Sequence, residues 1–209
     1  MDEYIARLIT RYPILEPIAE TIDNAATLMK CSIDAGGKIL VCGNGGSAAD
    51  ADHIVGELMK SFVKKRPLAR EQREALIRTD EVMGGVLAAE LQGGIPAISL
   101  TQHTSLSTAF ANDVNSALIY AQQAAVLGKK GDILWGISTS GNAQNVLYAA
   151  VCARAMGMQI LGLTGRQGGG LKEKSDVCIA VPEDETFMVQ ELHLPIYHTL
   201  CLSLENHLW

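Results

Sequence analysis

KILVCGNGGSAADADHIVGE, residues 38–57, holds an apolar run, a glycine-rich turn and the start of a helix in immediate succession. The run at 38–42 has the compact apolar pattern of a strand covered on both faces. The turn Gly43-Asn44-Gly45-Gly46-Ser47 lets backbone N–H groups crowd together, and a helix N-terminus behind them adds roughly half a positive charge. Within that helix, His53 and Glu57 are four residues apart and share one face. An anion cradle followed by a proton-transfer or metal-binding pair implies an enzyme acting on a small phosphorylated molecule.

The same strand-then-helix alternation continues along the chain. Further strand candidates are PAISLT (96–101), ILWGIS (133–138), QILGLT (159–164) and VCIAVP (177–182). Helices are expected over 48–62, 105–110, 116–128, 143–157 and from about Glu185 to the end. Alternation of this kind predicts an α/β fold: a three-layer, doubly wound, five-stranded parallel sheet with right-handed crossovers. Ligands then sit beyond the carboxyl ends of the strands. Residues 2–35 read as one or two N-terminal helices, broken near Pro13 and Pro17 and closed by Gly36-Gly37. The apolar stretch 5–29 has no place in the sheet and is expected to serve oligomerisation. Residues 64–94 form a long link between the first two strands, either a solvated excursion or a lid or subunit contact over the site. GRQGGGLKEKSD (165–176) reads as a flexible turn with a short helical piece. No internal repeat or low-complexity tract is evident, so 1–209 is expected to be a single domain.

Composition narrows the class. The 209 residues are 48% hydrophobic and 19% charged, ordinary for a soluble globular protein. No apolar stretch reaches the roughly 18–20 residues that span a bilayer, and the charged N-terminus is not a secretory signal. A net charge of −6 argues against broad nucleic-acid binding. Five scattered cysteines without CxxC spacing read as reduced core residues of a cytoplasmic protein.

A second polar strand end, Ser138-Thr139-Ser140-Gly141-Asn142, follows ILWGI. Its hydroxyls and N–H groups suit a phosphate, although Ser, Thr and Asn are also the preferred helix caps. Neither this motif nor the first is a Walker A loop or a GxGxxG turn, which disfavours a nucleotide cofactor. Asn112-Asp113 lies on a polar break between two helical segments, where a simple turn is an equal reading. The last stretch carries Gln190, Glu191, His193 and His198. Lone helical histidines are usually packed or solvated, but three of the chain's five histidines lie in two short helical stretches that also bear Glu and Gln.

These motifs, GNGGSAADADH with H-x-x-x-E, then ND, GISTSGN and Q-E-x-H-x-x-x-x-H, resemble the sugar isomerase (SIS) domain, and more closely the phosphoheptose isomerases. That family interconverts sedoheptulose 7-phosphate and heptose 7-phosphate. The resemblance runs from about residue 20 to the C-terminus. It implies a flavodoxin-like five-stranded sheet, a homotetramer, and sites at subunit contacts. Metal ligands carry over onto His53, Glu57, Gln190 and His198, and the acid/base pair onto Glu57 and His198. Substrate contacts carry over onto Asn44, Gly45, Gly46, Ser47, Glu57, Asn112, Asp113, Ser138, Thr139, Ser140 and Gln190. The chain departs from the family pattern at Ala143, where a serine usually stands, at Met188, where an arginine is common, and in the length of the 64–94 link.

The resemblance thus implies an aldose–ketose isomerase working through a cis-enediol, with zinc polarising the carbonyl. His198 is the candidate base, since imidazole titrates near neutral pH, and Glu57 the candidate acid or proton shuttle, the two roles being open to exchange. Gln190 and His198 are eight residues apart, about 12 Å of rise on one helix. They are expected to reach a given site from different subunits. Pro195 between them is a candidate kink. The rival reading is a non-catalytic SIS-domain protein, either a replication-initiator-associating factor or a sugar-phosphate sensor. Glu57 and His198, which the replication-associated proteins lack, favour the enzyme.

Overall fold

The computed structural model describes residues 2–209. Asp2 opens helix α1 (Glu3–Arg11) by accepting a hydrogen bond from the Tyr4 N–H, and Arg11 closes it at the negative end of its dipole. Pro13 and Pro17 cannot donate backbone hydrogen bonds, and the chain there tightens into a 3₁₀ turn (Pro13–Ile18) before α2 (Ala19–Asp34). Gly36, at φ +80°, turns the chain out of α2 toward the sheet.

The sheet is β1 (Ile39–Cys42), β2 (Ala97–Ser99), β3 (Ile133–Ser138), β4 (Gln159–Thr164) and β5 (Val177–Ala180), all parallel, in the order β2-β1-β3-β4-β5. This is the flavodoxin-like order, whose reversal point lies between β1 and β3. Side-chain alternation divides the core in two. Ile39, Val41, Ile133, Trp135, Ile137, Leu161 and Leu163 face α1, α2, α3 (Gly46–Met59) and α10 (Thr186–Leu208). Leu40, Cys42, Leu134 and Ile160 face α7 (Ile119–Leu127), α8 (Gln144–Ala155) and α9 (Gly169–Lys174). The three-layer expectation holds.

Burial details three of the expectations and corrects one of them, for Cys31. The apolar side chains of 5–29, including Ile5, Leu8, Leu15, Ile22 and Met29, are buried within this chain's own core. Each such burial stabilises by about 1.5–3 kcal/mol. These side chains clamp the N-terminal helices to the sheet. Cys31 is exposed rather than in the core; all five cysteines are free thiols. The 64–94 link is a hairpin of two helices, α4 (Arg70–Thr79) and α5 (Glu81–Glu90), with Asp80 capping the second. No α4 side chain is buried, and α5 exposes Val82, Met83, Val86 and Leu87.

Between β2 and α7, α6 (Thr104–Phe110) runs into a π-helical turn (Ala111–Asn115) and a 3₁₀ turn (Ser116–Leu118). Asn112 and Asp113 thus lie inside one wide helical turn, not at a break. Pro195 sits within α10 without interrupting it. No helix among the described residues is long and apolar enough to cross a membrane.

Candidate active site

Three helix N-termini converge at the carboxyl ends of β1 and β3. The chain leaves β1 through Asn44 and reaches α3 only because Gly45 adopts φ +55° and ψ −120°, a conformation closed to residues with a Cβ. At Gly46 a Cβ would collide with the Gln190 amide, so the missing side chain lets α10 approach the turn. The cavity between them has a volume of about 370 Å³, enough for a phosphate group. Its walls are Asn44, Gly45, Gly46 and Ser47, the run Ser138, Thr139 and Ser140 with Ala143, and Thr186 and Gln190 of α10. The partial positive charges of α3, α8 and α10 all point here.

Capping and ligand binding coexist in the second motif. Ser138 Oγ accepts from the Ala143 N–H and Ser140 Oγ from the Asn142 N–H, which leaves each hydroxyl proton free for an anion. Asn44 is locked by a reciprocal amide pair with Asn145 at 2.8 Å each way, and Tyr120 donates to the Gly43 carbonyl behind it. Neither Asn145 nor Tyr120 stood out in the sequence. The second Asn in STSGNAQN, one turn into α8, was the available signal for Asn145.

From this cradle α3 and α10 run side by side in the same direction. Gln190 lies against Gly46, Tyr197 reaches Asp50 and His53, His198 meets Glu57, and Glu205 meets the residues after α3. Midway, His53 Nε2 and His198 Nε2 stand 3.1 and 3.2 Å from the same oxygen of Glu57, Oε1. Glu57 is 5% exposed, and its Oε2 is buried without a hydrogen-bond partner. Burial raises its carboxyl above the usual range, against the charge of His53. Burial, then the charge of His53, lowers the imidazole of His198. A raised carboxyl beside a lowered imidazole is an arrangement that can exchange protons.

The cluster also fits a metal ion. One ligand atom from each of His53, Glu57 and His198 lies within 4.8 Å of the others. Their separations from Oε1 approach the tetrahedron edge of about 3.3 Å that ~2.0–2.1 Å bonds to zinc would give. Gln190 is not in this group: it stays at the cradle end of α10, as the eight-residue spacing requires. His193 is a core histidine, fully buried, donating to the Thr164 carbonyl, its pKa pushed down to about 4 by burial. Asn112 and Asp113 are exposed, hydrogen-bonded to each other, and line neither the cradle nor the cluster of their own chain.

A buried clamp holds the C-terminal end of α3. Arg66, 1% exposed, donates to the carbonyls of Leu58 and Glu57 and to Glu205 Oε1 at 2.7 Å. Trp209 covers its guanidinium. Glu205 is buried, which opposes ionisation. Yet the N–H groups of Phe62, Val63 and Lys64 and the Arg66 guanidinium hold its carboxyl below the usual range. Its contribution is therefore complete above the ordinary Glu range and lost as pH falls through the depressed value. Arg66→Met is expected to cost about 3 kcal/mol, because it strips one partner from a buried ion pair and two carbonyls of α3. Urea unfolding measures this, and a loss under about 1 kcal/mol would show the clamp to be ornamental.

A family model described as SIS domain matches residues 3–81 and 83–165. The phosphoheptose isomerase of Thiobacillus denitrificans is 41% identical over 194 residues, covering 91% of this chain and 85% of that protein. That of Aliarcobacter butzleri is 36% identical over 208 residues, covering 100% and 96%. Among solved structures, the phosphoheptose isomerase of Neisseria gonorrhoeae superposes with a TM-score of 0.75 at 33% identity, covering 96% of this chain and 94% of that one. The one from Francisella tularensis gives 0.74 at 30% identity, covering 98% and 95%.

Proposed function

This chain belongs to the SIS-domain family and, within it, to the phosphoheptose isomerases; we propose that it interconverts sedoheptulose 7-phosphate and a heptose 7-phosphate through an enediol. The observation that carries the proposal is the seam between α3 and α10, which has an anion cradle at one end and a carboxyl–imidazole pair along it. A phosphate would sit at the three helix N-termini, held by the hydroxyls of Ser138, Thr139 and Ser140 and the N–H groups of the Asn44–Ser47 turn. Ala143 leaves that cradle one hydroxyl poorer than the family pattern.

In the ketose-to-aldose direction His198 takes the proton from C1 while Glu57 protonates the carbonyl oxygen at C2. The cis-enediol then receives a proton at C2 and loses one from the C1 hydroxyl. Burial raises the Glu57 carboxyl, which favours its acid form, and lowers the His198 imidazole, which favours its acceptor form. His53, Glu57 and His198 would hold zinc, with Gln190 from another subunit as a further ligand, and bound zinc would supply Lewis-acid stabilisation of negative charge on the sugar oxygens.

The distances favour a site shared between chains. Gly46 and Glu57 are eleven residue steps apart on α3, about 16 Å of rise. Seven bonds from phosphorus to C2, at about 1.5 Å each, cannot exceed about 11 Å. A substrate anchored in one chain's cradle therefore reacts at another chain's cluster, in keeping with the proposed homotetramer. Asn112 and Asp113, exposed on their π turn, would then touch substrate across that contact, and the exposed Val82, Met83, Val86 and Leu87 of α5 offer apolar surface for it. Five free thiols suit the cytoplasm.

Ser138→Ala and Thr139→Ala are each expected to raise KM for the phosphorylated sugar by roughly tenfold, the effect of one charge-assisted hydrogen bond, with kcat little changed. Steady-state kinetics on phosphorylated and unphosphorylated heptulose checks this. An unchanged KM, with both sugars equally good substrates, would remove the phosphate from the cradle.

A further inference from the structure

Nothing in the reaction scheme uses Asp50 or Tyr197, yet both are aimed at His53. The Tyr197 hydroxyl lies 3.0 Å from His53 Nδ1 and 3.3 Å from Asp50 Oδ1, and Asp50 Oδ2 is buried without any partner. The Tyr197 ring packs edge-on against both imidazoles, with centroids 5.5 Å from His53 and 5.0 Å from His198. The residue is thus wedged, and its hydroxyl has no freedom to turn elsewhere.

One hydroxyl has one proton. Burial raises the Asp50 carboxyl above the usual range, opposed by the Tyr197 hydrogen bond and the charge of His53; as a carboxylate it only accepts, so the Tyr197 proton goes to Asp50 and the phenol oxygen is left to accept from His53. Nδ1 must then carry the ring proton. Its Nε2 is in consequence a bare lone pair, 3.1 Å from Glu57 Oε1. Two facing acceptors at that distance need a proton or a cation between them.

We infer that Asp50 and Tyr197 are positioning residues, a carboxylate–phenol relay that fixes His53 as the Nδ1–H tautomer and presents Nε2 to the Glu57–His198 cluster. The relay rests on reading that cluster as the reacting and metal-capable centre. It serves the purpose of a carboxylate behind a metal-binding histidine, with a tyrosine interposed to cover the extra distance. Without it the ring can carry its proton at Nε2, which occupies the lone pair that ligation needs.

Tyr197→Phe keeps the ring packing and removes only the hydroxyl. Asp50→Ala keeps the hydroxyl but frees its proton to point at Nδ1. In the metal-free protein, ¹⁵N chemical shifts of His53 should report Nδ1–H in the wild type, a mixture in Tyr197→Phe, and mainly Nε2–H in Asp50→Ala. Zinc affinity, read by competition with a chromophoric chelator, should fall about 10–100-fold in each single variant, the usual effect of losing an outer partner. The double variant should be no worse than the weaker single one, since both act through one ring. Circular dichroism and the thermal midpoint of each variant separate loss of fold from loss of orientation. An unchanged His53 tautomer in both folded variants overturns the relay, as does a zinc affinity within twofold of wild type. The shift measurement needs neither zinc nor sugar. A protein that failed to isomerise the heptulose but kept the Nδ1–H pattern would refute the proposed reaction and leave the relay standing.

Discussion

Glu57→Gln and His198→Ala should each lower kcat on the phosphorylated heptulose by at least about a hundredfold, the scale of a lost general acid or base. The glutamine is isosteric and fills the same buried space, but its amide cannot cycle a proton. Nor can it exchange a proton with the imidazoles that flank Oε1 at 3.1 and 3.2 Å. Alanine at 198 deletes the imidazole while leaving α10 anchored by Tyr197, Leu200 and Glu205. KM should move much less than kcat in both, because the phosphate cradle is untouched. Stopped assays on samples with wild-type circular dichroism measure this; turnover within about threefold of wild type in either variant would withdraw the acid/base assignment.

Mixed oligomers of Gln190→Ala and His198→Ala subunits should recover activity that neither homo-oligomer has. Gln190 belongs to the cradle of its chain and His198 to the cluster, 12 Å further along α10. If one substrate takes its phosphate contacts from one chain and its proton transfers from another, random mixing leaves about one quarter of sites with both residues intact. Co-expression with two affinity tags isolates the hetero-oligomers. Verified mixtures as inactive as their parents, or an active monomer in sedimentation, would place the whole site within one chain and contradict the length argument.

The sheet was legible because its strands are buried on both faces and read as five separate apolar runs, and α3 was legible because a glycine turn and a cap-ready start precede His53. The cradle residues followed from the same rule, that parallel sheets bind ligands beyond their carboxyl ends. The π turn around Asn112 carried no such signal, since a widened turn differs from a break only in tertiary support. The helical hairpin α4–α5 was half visible: its charge pattern suggested helix, but the tight reversal at Asp80 depends on one capping side chain. Least visible were Asp50, Tyr197, Arg66 and Glu205. Each is an isolated polar residue on its own helix or loop, and its role exists only once α10 lies along α3. The apolar N-terminal stretch was ambiguous for a related reason, as hydrophobicity reports burial without saying in which chain.

Incubating the purified protein with sedoheptulose 7-phosphate in D₂O and following the product by NMR tests the central claim most directly. The account predicts an aldose heptose 7-phosphate bearing solvent deuterium at C2, formed by wild type and at least about a hundredfold more slowly by Glu57→Gln. Wild-type protein that binds the ketose phosphate yet yields neither aldose nor exchanged carbon-bound hydrogen would contradict it.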